Sequence, residues 1–155
     1  MGLFGFGKKK QWDIERSNGS KEKIRALFNK ALENGDSWKL LYGYSMDISN
    51  MNYVLVRKTT YEYASLIIGY NEADMRIAIL ETTPELDACS EAEIFSRDNI
   101  KKTGKRLGEY ILYHKGGLMA GYTRFGLAAE NDEKYLAYVY QPEECRDFDE
   151  FFKRF

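Results

Sequence analysis

Aromatic and β-branched residues crowd three short runs with little between them. The run 53–58 carries Tyr53, Val54, Leu55 and Val56. The run 61–70 carries Tyr61, Tyr63, Leu66, Ile67, Ile68 and Tyr70, and the run 75–80 carries Ile77, Ile79 and Leu80. Such residues suit a pleated, half-buried surface. Asn71, Glu72, Ala73 and Asp74 make a polar turn between the second and third runs. The pattern predicts a tight antiparallel meander on which the other segments pack.

Helical spacing takes over on the N-terminal side. Ile24, Leu27, Phe28, Ala31 and Leu32 fall at i, i+3, i+4, i+7 and i+8, which predicts a helix over 20–35. Ser20 supplies a cap, and Gly35 supplies a left-handed stop. The stripe is expected to lie on the sheet, with a dimer face as the alternative. Lys39 to Ser45 alternates as a strand. On the C-terminal side, 83–91 reads as a connection and Glu93-Ile94-Phe95 as a short edge strand. The runs 107–115 and 118–127 flank Gly116-Gly117, a hairpin signal because primed turns need positive φ. Gly121 and Gly126 suggest bends in the second arm. The run 135–140 predicts a last strand, and Pro142 opens a helix with an apolar stripe of Cys145, Phe148, Phe151, Phe152 and Phe155.

Length and composition narrow this to one globular domain over 20–155, preceded by a flexible tail over 1–19. The chain has 155 residues, enough for a single core, and 44% of them are apolar. No apolar run approaches the about 18 residues of a spanning helix. The first ten residues place Leu3, Phe4 and Phe6 before Lys8, Lys9 and Lys10, an order unlike a signal peptide. They read as a frayed tail, with a weak interfacial anchor as the alternative. The expected fold is α+β: an N-terminal helix, a strongly bent antiparallel meander or partly open barrel of seven or eight strands, and a C-terminal capping helix.

Charge and candidate chemistry say less. Basic and acidic side chains number 23 and 24, so an electrostatic partner must be met by a local patch. Cys89 and Cys145 stand far apart and read as two thiols in a reducing cytoplasm. Glu81, Glu85, Asp87, Glu91 and Glu93 lack a metal-binding alternation and read as a solvated acidic loop. His114 is the sole histidine. It reads as a surface residue at a hairpin end, with general-base chemistry as the alternative. No phosphate-cradling glycine pattern occurs, and the basic residues are not interleaved with the tyrosines, which disfavours nucleic acid. No cofactor or metal is expected. The sharpest feature is Lys101, Lys102, Lys105 and Arg106 around Gly104, which are expected to project from a turn. They suit an anionic partner, or else simply keep an edge soluble.

The order of elements from Trp38 to Phe155, with Ile94-Phe95-Ser96-Arg97-Asp98-Asn99-Ile100 before a strand hairpin, resembles a bacterial pleckstrin-homology-like (GRAM-like) domain. That resemblance implies a bent sheet closed at one end by the last helix, and a binding module rather than an enzyme. The leading functional expectation is a cytoplasmic adaptor recognising a peptide, a protein or an anionic surface. Protein or peptide is the first partner class, with an anionic lipid surface and a homodimer left open. The alternatives are a small-molecule binder or enzyme with an apolar pocket in the curved sheet, and a partner-binding protein of the secretion-chaperone or immunity type.

Overall fold

The computed structural model describes residues 11–45, 64–116, 121–133 and 136–155. The run 53–58 and the first ten residues lie outside this set. The chain begins with helix α1 (Ile14–Ala31) and a 3-10 turn (Gly35–Ser37). Strands β1 (Lys39–Ser45), β2 (Ala64–Asn71), β3 (Arg76–Thr82) and β4 (Glu93–Phe95) follow. Next come β5 (Ile100–Arg106), β6 (Glu109–His114), β7 (Tyr122–Leu127), β8 (Glu130–Asn131) and β9 (Val139–Tyr140), and then helix α2 (Pro142–Arg154). Seven strands form one antiparallel sheet in the order β4-β3-β2-β1-β7-β6-β5, and β8 pairs with β9 separately. The fold is α+β, as the order of patterns predicts.

The apolar runs occupy the middle of the sheet because both of its faces are covered. Every residue of β2 is buried, and so is all of β3 after Arg76. A strand covered on both faces has no reason to alternate. One face, carrying Leu41, Leu66, Ile68, Tyr70, Ile77, Phe95, Tyr110, Leu112 and Phe125, meets Phe148, Phe151 and Phe152 of α2. The other, carrying Tyr42, Ile67 and Leu80, meets Ile24 and Phe28 of α1 together with Ala137 and Val139. At Gly69 a Cβ would come within 2.6 Å of the Phe28 ring, so a glycine lets α1 approach the sheet closely.

The sheet curls around α2 without closing. Strands β4 and β5 stand at its two ends, yet only residues 96–99 join them. Phe95 of β4 stacks on His114 of β6 at 5.9 Å, which makes the α2 side the concave one. Arg97 of this short link donates to the carbonyls of Arg154 (2.7 Å) and Phe155 (3.3 Å), capping the C-terminus of α2.

Several sequence expectations are corrected. Helix α1 starts at Ile14, not at residue 20. Asp13 is its cap and accepts from the Arg16 amide at 3.0 Å, so the boundary expected at residue 19 falls inside the helix. The segment 14–20 lacks the apolar stripe, yet Ser17 is buried. Its hydroxyl accepts from the Tyr140 amide at 2.9 Å, an anchor that periodicity does not register. The left-handed residue after the helix is Asn34 (φ 58°), not Gly35. Gly35 is buried where a Cβ would collide with Asn29. The described arms of the β6–β7 hairpin end at His114 and begin again at Tyr122, and the expected Gly116-Gly117 link runs into residues 117–120, which lie outside the described residues. The last predicted strand shrinks to Val139–Tyr140. Glu81 is buried on β3 rather than solvated.

Candidate functional site

The basic run forms a strand rather than a turn. Lys101, Lys102, Lys105 and Arg106 all lie on β5, and all four are exposed. Among the described residues β5 pairs only with β6, so it is one edge of the sheet. Ile100 faces His114 while Lys102 faces Tyr113. Lys101 is therefore the extra residue of a β-bulge, a device that increases twist at an edge. The sequence hid the strand because four charges in six residues read as solvent-exposed connection. What holds the strand is pairing with the apolar run Tyr110, Ile111 and Leu112.

Strand alternation divides the cations between two environments. On the α2 side, Lys105 faces Tyr110 across the ladder, and its Nζ lies 4.9 Å from the Tyr110 ring centroid. The same ammonium pairs with Asp149 of α2 at 2.7 Å, and the Tyr110 hydroxyl donates to that carboxylate at 2.9 Å. On the opposite side, Lys102 lies 4.9 Å from the centroid of the Tyr113 ring. Among the described residues Lys101 and Arg106 have no ion-pair partner. Among the described residues the edge thus presents two unpaired cations, a third over an aromatic ring, and a fourth tied down by a carboxylate.

The hydrogen bonds from Lys105 and Tyr110 hold Asp149 below its ordinary 3.8, against the smaller upward push of partial burial. Burial, with the bond to Asp149, pushes the Tyr110 phenol up. A carboxylate with a lowered folded pKa stabilises the fold above its unfolded value, and that contribution is lost as pH falls through the folded pKa. Acid titration of stability should therefore show a loss beginning near pH 4, to which Asp149→Asn removes a measurable share. Identical acid profiles for wild type and variant, read by urea melts at several pH values, would contradict this role for the Lys105–Asp149–Tyr110 cluster.

The other sequence candidates have structural employment. His114 is half-buried on the concave face, where Nε2 bonds Thr123 Oγ1 at 2.7 Å and the ring stacks on Phe95. The expectation of a plain surface histidine is corrected to that extent. Both cysteines are free and half-buried. Burial raises both thiols, that of Cys145 to about 11. Among the described residues no group of three or more His, Cys, Asp or Glu side chains is placed to hold a metal. Also among them, no helix is long and apolar enough to cross a membrane. The concave face, where an apolar pocket was the alternative, is filled by Phe148, Phe151 and Phe152. A crevice of about 170 Å³ lies elsewhere, beside the Lys21–Glu144 ion pair and lined by Ile24, Arg25, Leu40 and Gln141.

One functional-looking feature escaped the sequence reading. The β5–β6 hairpin turns through Leu107 and Gly108 alone, with φ of 53° and 84°. Positive φ at both central positions is the mark of a type I′ turn. Leu107 is 93% exposed. Gly108 followed by Glu109 was the only available signal of a turn here, and a leucine in front of it masked that signal.

No protein-family model, no curated protein and no solved structure matches the chain.

Proposed function

We propose that this protein is a binding module that docks on an anionic partner through the β5 edge. The observation that carries the reading is the placement of Lys101, Lys102, Lys105 and Arg106 along one exposed edge strand. An edge strand offers unpaired backbone groups as well as charge, so it meets a partner along its length rather than at a point. The occupation of the concave face by phenylalanines, and the packing of His114 between Thr123 and Phe95, favour docking over chemistry in a pocket. The pleckstrin-homology-like resemblance is supported by the curled sheet and by the last helix seated against it, and it agrees with a binding role.

The test is retention on a polyglutamate resin. Wild type should bind at low salt and elute as salt approaches physiological strength, since exposed charges are screened within about 8–10 Å. Replacing Lys101, Lys102 and Arg106 by glutamate, with Lys105 kept on Asp149, should abolish retention while changing stability by less than about 1 kcal/mol, because exposed charges contribute little. A control variant, Lys23→Glu with Lys30→Glu on the exposed side of α1, should bind as wild type does. Equal retention by the β5 variant and wild type would leave the edge cations only the task of keeping another strand off the sheet.

A further inference from the structure

Leu107 stands where the fold gains least from it. It fills the first central position of a two-residue turn with φ of 53°. There asparagine or aspartate before glycine is the unstrained choice, and a larger side chain crowds the backbone. At 93% exposure it also leaves nearly its whole apolar surface in water. The other large exposed apolar residue among those described, Ile14, is only 51% exposed and lies in regular helix. A polar residue at 107 would relieve both penalties. Their coexistence points to an interaction made outside the chain.

We infer that the β5–β6 hairpin tip is an apolar anchor for an anionic lipid bilayer, with Leu107 entering the interface and the β5 cations meeting the headgroups. The inference rests on the anionic-docking reading above and names its partner class. Three observations select a bilayer over a folded protein. The tip is convex and narrow, one apolar side chain on a two-residue turn, so a rigid partner would need a matching hole where a fluid interface needs none. Three crevices open along α1, the 3-10 turn and the neighbouring ends of the sheet, and the hairpin lines none of the three. The cations are graded along the approach. Arg106 adjoins the tip, while Lys102 lies about 13 Å behind it at 3.3 Å per strand residue. Apolar insertion at the tip with cations at headgroup depth is the pattern of interfacial binding. Asp149 neutralises Lys105, which leaves Arg106, Lys102 and Lys101 as the cations free to meet headgroups, and Glu109, opposite Arg106 on β6, lies 3.4 Å from Arg124.

The experiment uses the full chain with two probes at low salt. One is phosphatidylcholine vesicles in which about a third of the lipid is phosphatidylserine, and the other is the polyglutamate resin. Leu107→Asn should hold or raise the melting temperature, because asparagine tolerates left-handed backbone. It should nevertheless weaken vesicle binding by about tenfold or more through loss of the inserted side chain. Resin retention should be unchanged. Equal vesicle binding by wild type and Leu107→Asn, or resin retention by wild type without vesicle binding, overturns the lipid anchor and leaves the anionic-docking reading standing. Wild type that binds neither probe overturns both.

Discussion

Replacing Phe148 by alanine is expected to destabilise the protein by about 3–5 kcal/mol. The ring is fully buried at the centre of an aromatic cluster. Its centroid lies 5.4 Å from Tyr70, 5.2 Å from Tyr110 and 5.9 Å from Phe125, each at a steep angle. Those partners come from β2, β6 and β7, so the cavity would open between the last helix and both halves of the curled sheet. Edge-to-face pairs add to simple burial, which places this site at the upper end of large-to-small substitutions. Urea melts should show a lower midpoint with an unchanged slope. A loss below about 0.5 kcal/mol would mean that α2 does not fill the concave face.

The second large effect is expected at a polar residue. Gln141 is 1% exposed and works as a substitute rung in the sheet. Its Oε1 accepts from the Tyr42 amide at 2.8 Å. Its Nε2 donates to the carbonyls of Tyr42 (2.7 Å) and Ala128 (2.9 Å). These bonds lie next to the point where β7 leaves β1, since the β1–β7 ladder is confined to Gly43–Leu127 and Tyr44–Gly126. Gln141→Leu keeps most of the volume and orphans the Tyr42 amide and carbonyl, while the Ala128 carbonyl keeps its bond from Asn131 Nδ2 at 2.7 Å. At about 1–3 kcal/mol for each of the two unsatisfied groups, and with incomplete additivity, a loss of roughly 2–5 kcal/mol is expected. Thermal and urea melts of Gln141→Leu measure it, and a variant as stable as wild type would show that water replaces the side chain. The neighbouring Tyr42 hydroxyl, bonded to Ser65 at 2.7 Å and accepting from the Ala137 amide at 3.1 Å, belongs to the same buried network.

These two residues also mark what was legible in the sequence. The phenylalanine stripe of α2 was plain, because apolar periodicity records which side of a helix is dry, and α2 spans Pro142–Arg154 much as predicted. Strands β1 and β4 coincide with their predicted runs for the same reason. Gln141 was invisible. A polar residue just before a proline reads as a helix cap, and its side chain instead turns inward to the sheet. The early start of α1 was hidden likewise, since Asp13 and Ser17 act through hydrogen bonds that leave no periodic trace. At the candidate site the four cations were visible as a cluster but not as a strand. Their ladder partner, the run Tyr110 to Leu112, lies beyond the turn. The exposed turn leucine had no sequence signature, because its meaning depends on a backbone angle and a solvent exposure.

Docking on the β5 edge fixes where an anionic ligand touches the protein. Backbone amide chemical shifts, followed by nuclear magnetic resonance during titration with soluble polyglutamate at low salt, read this residue by residue. The largest changes should fall on Ile100 to Glu109 and fade across β7, with added salt reversing them. Changes centred on α1 and the 3-10 turn, or no changes at all, would contradict docking on the β5 edge.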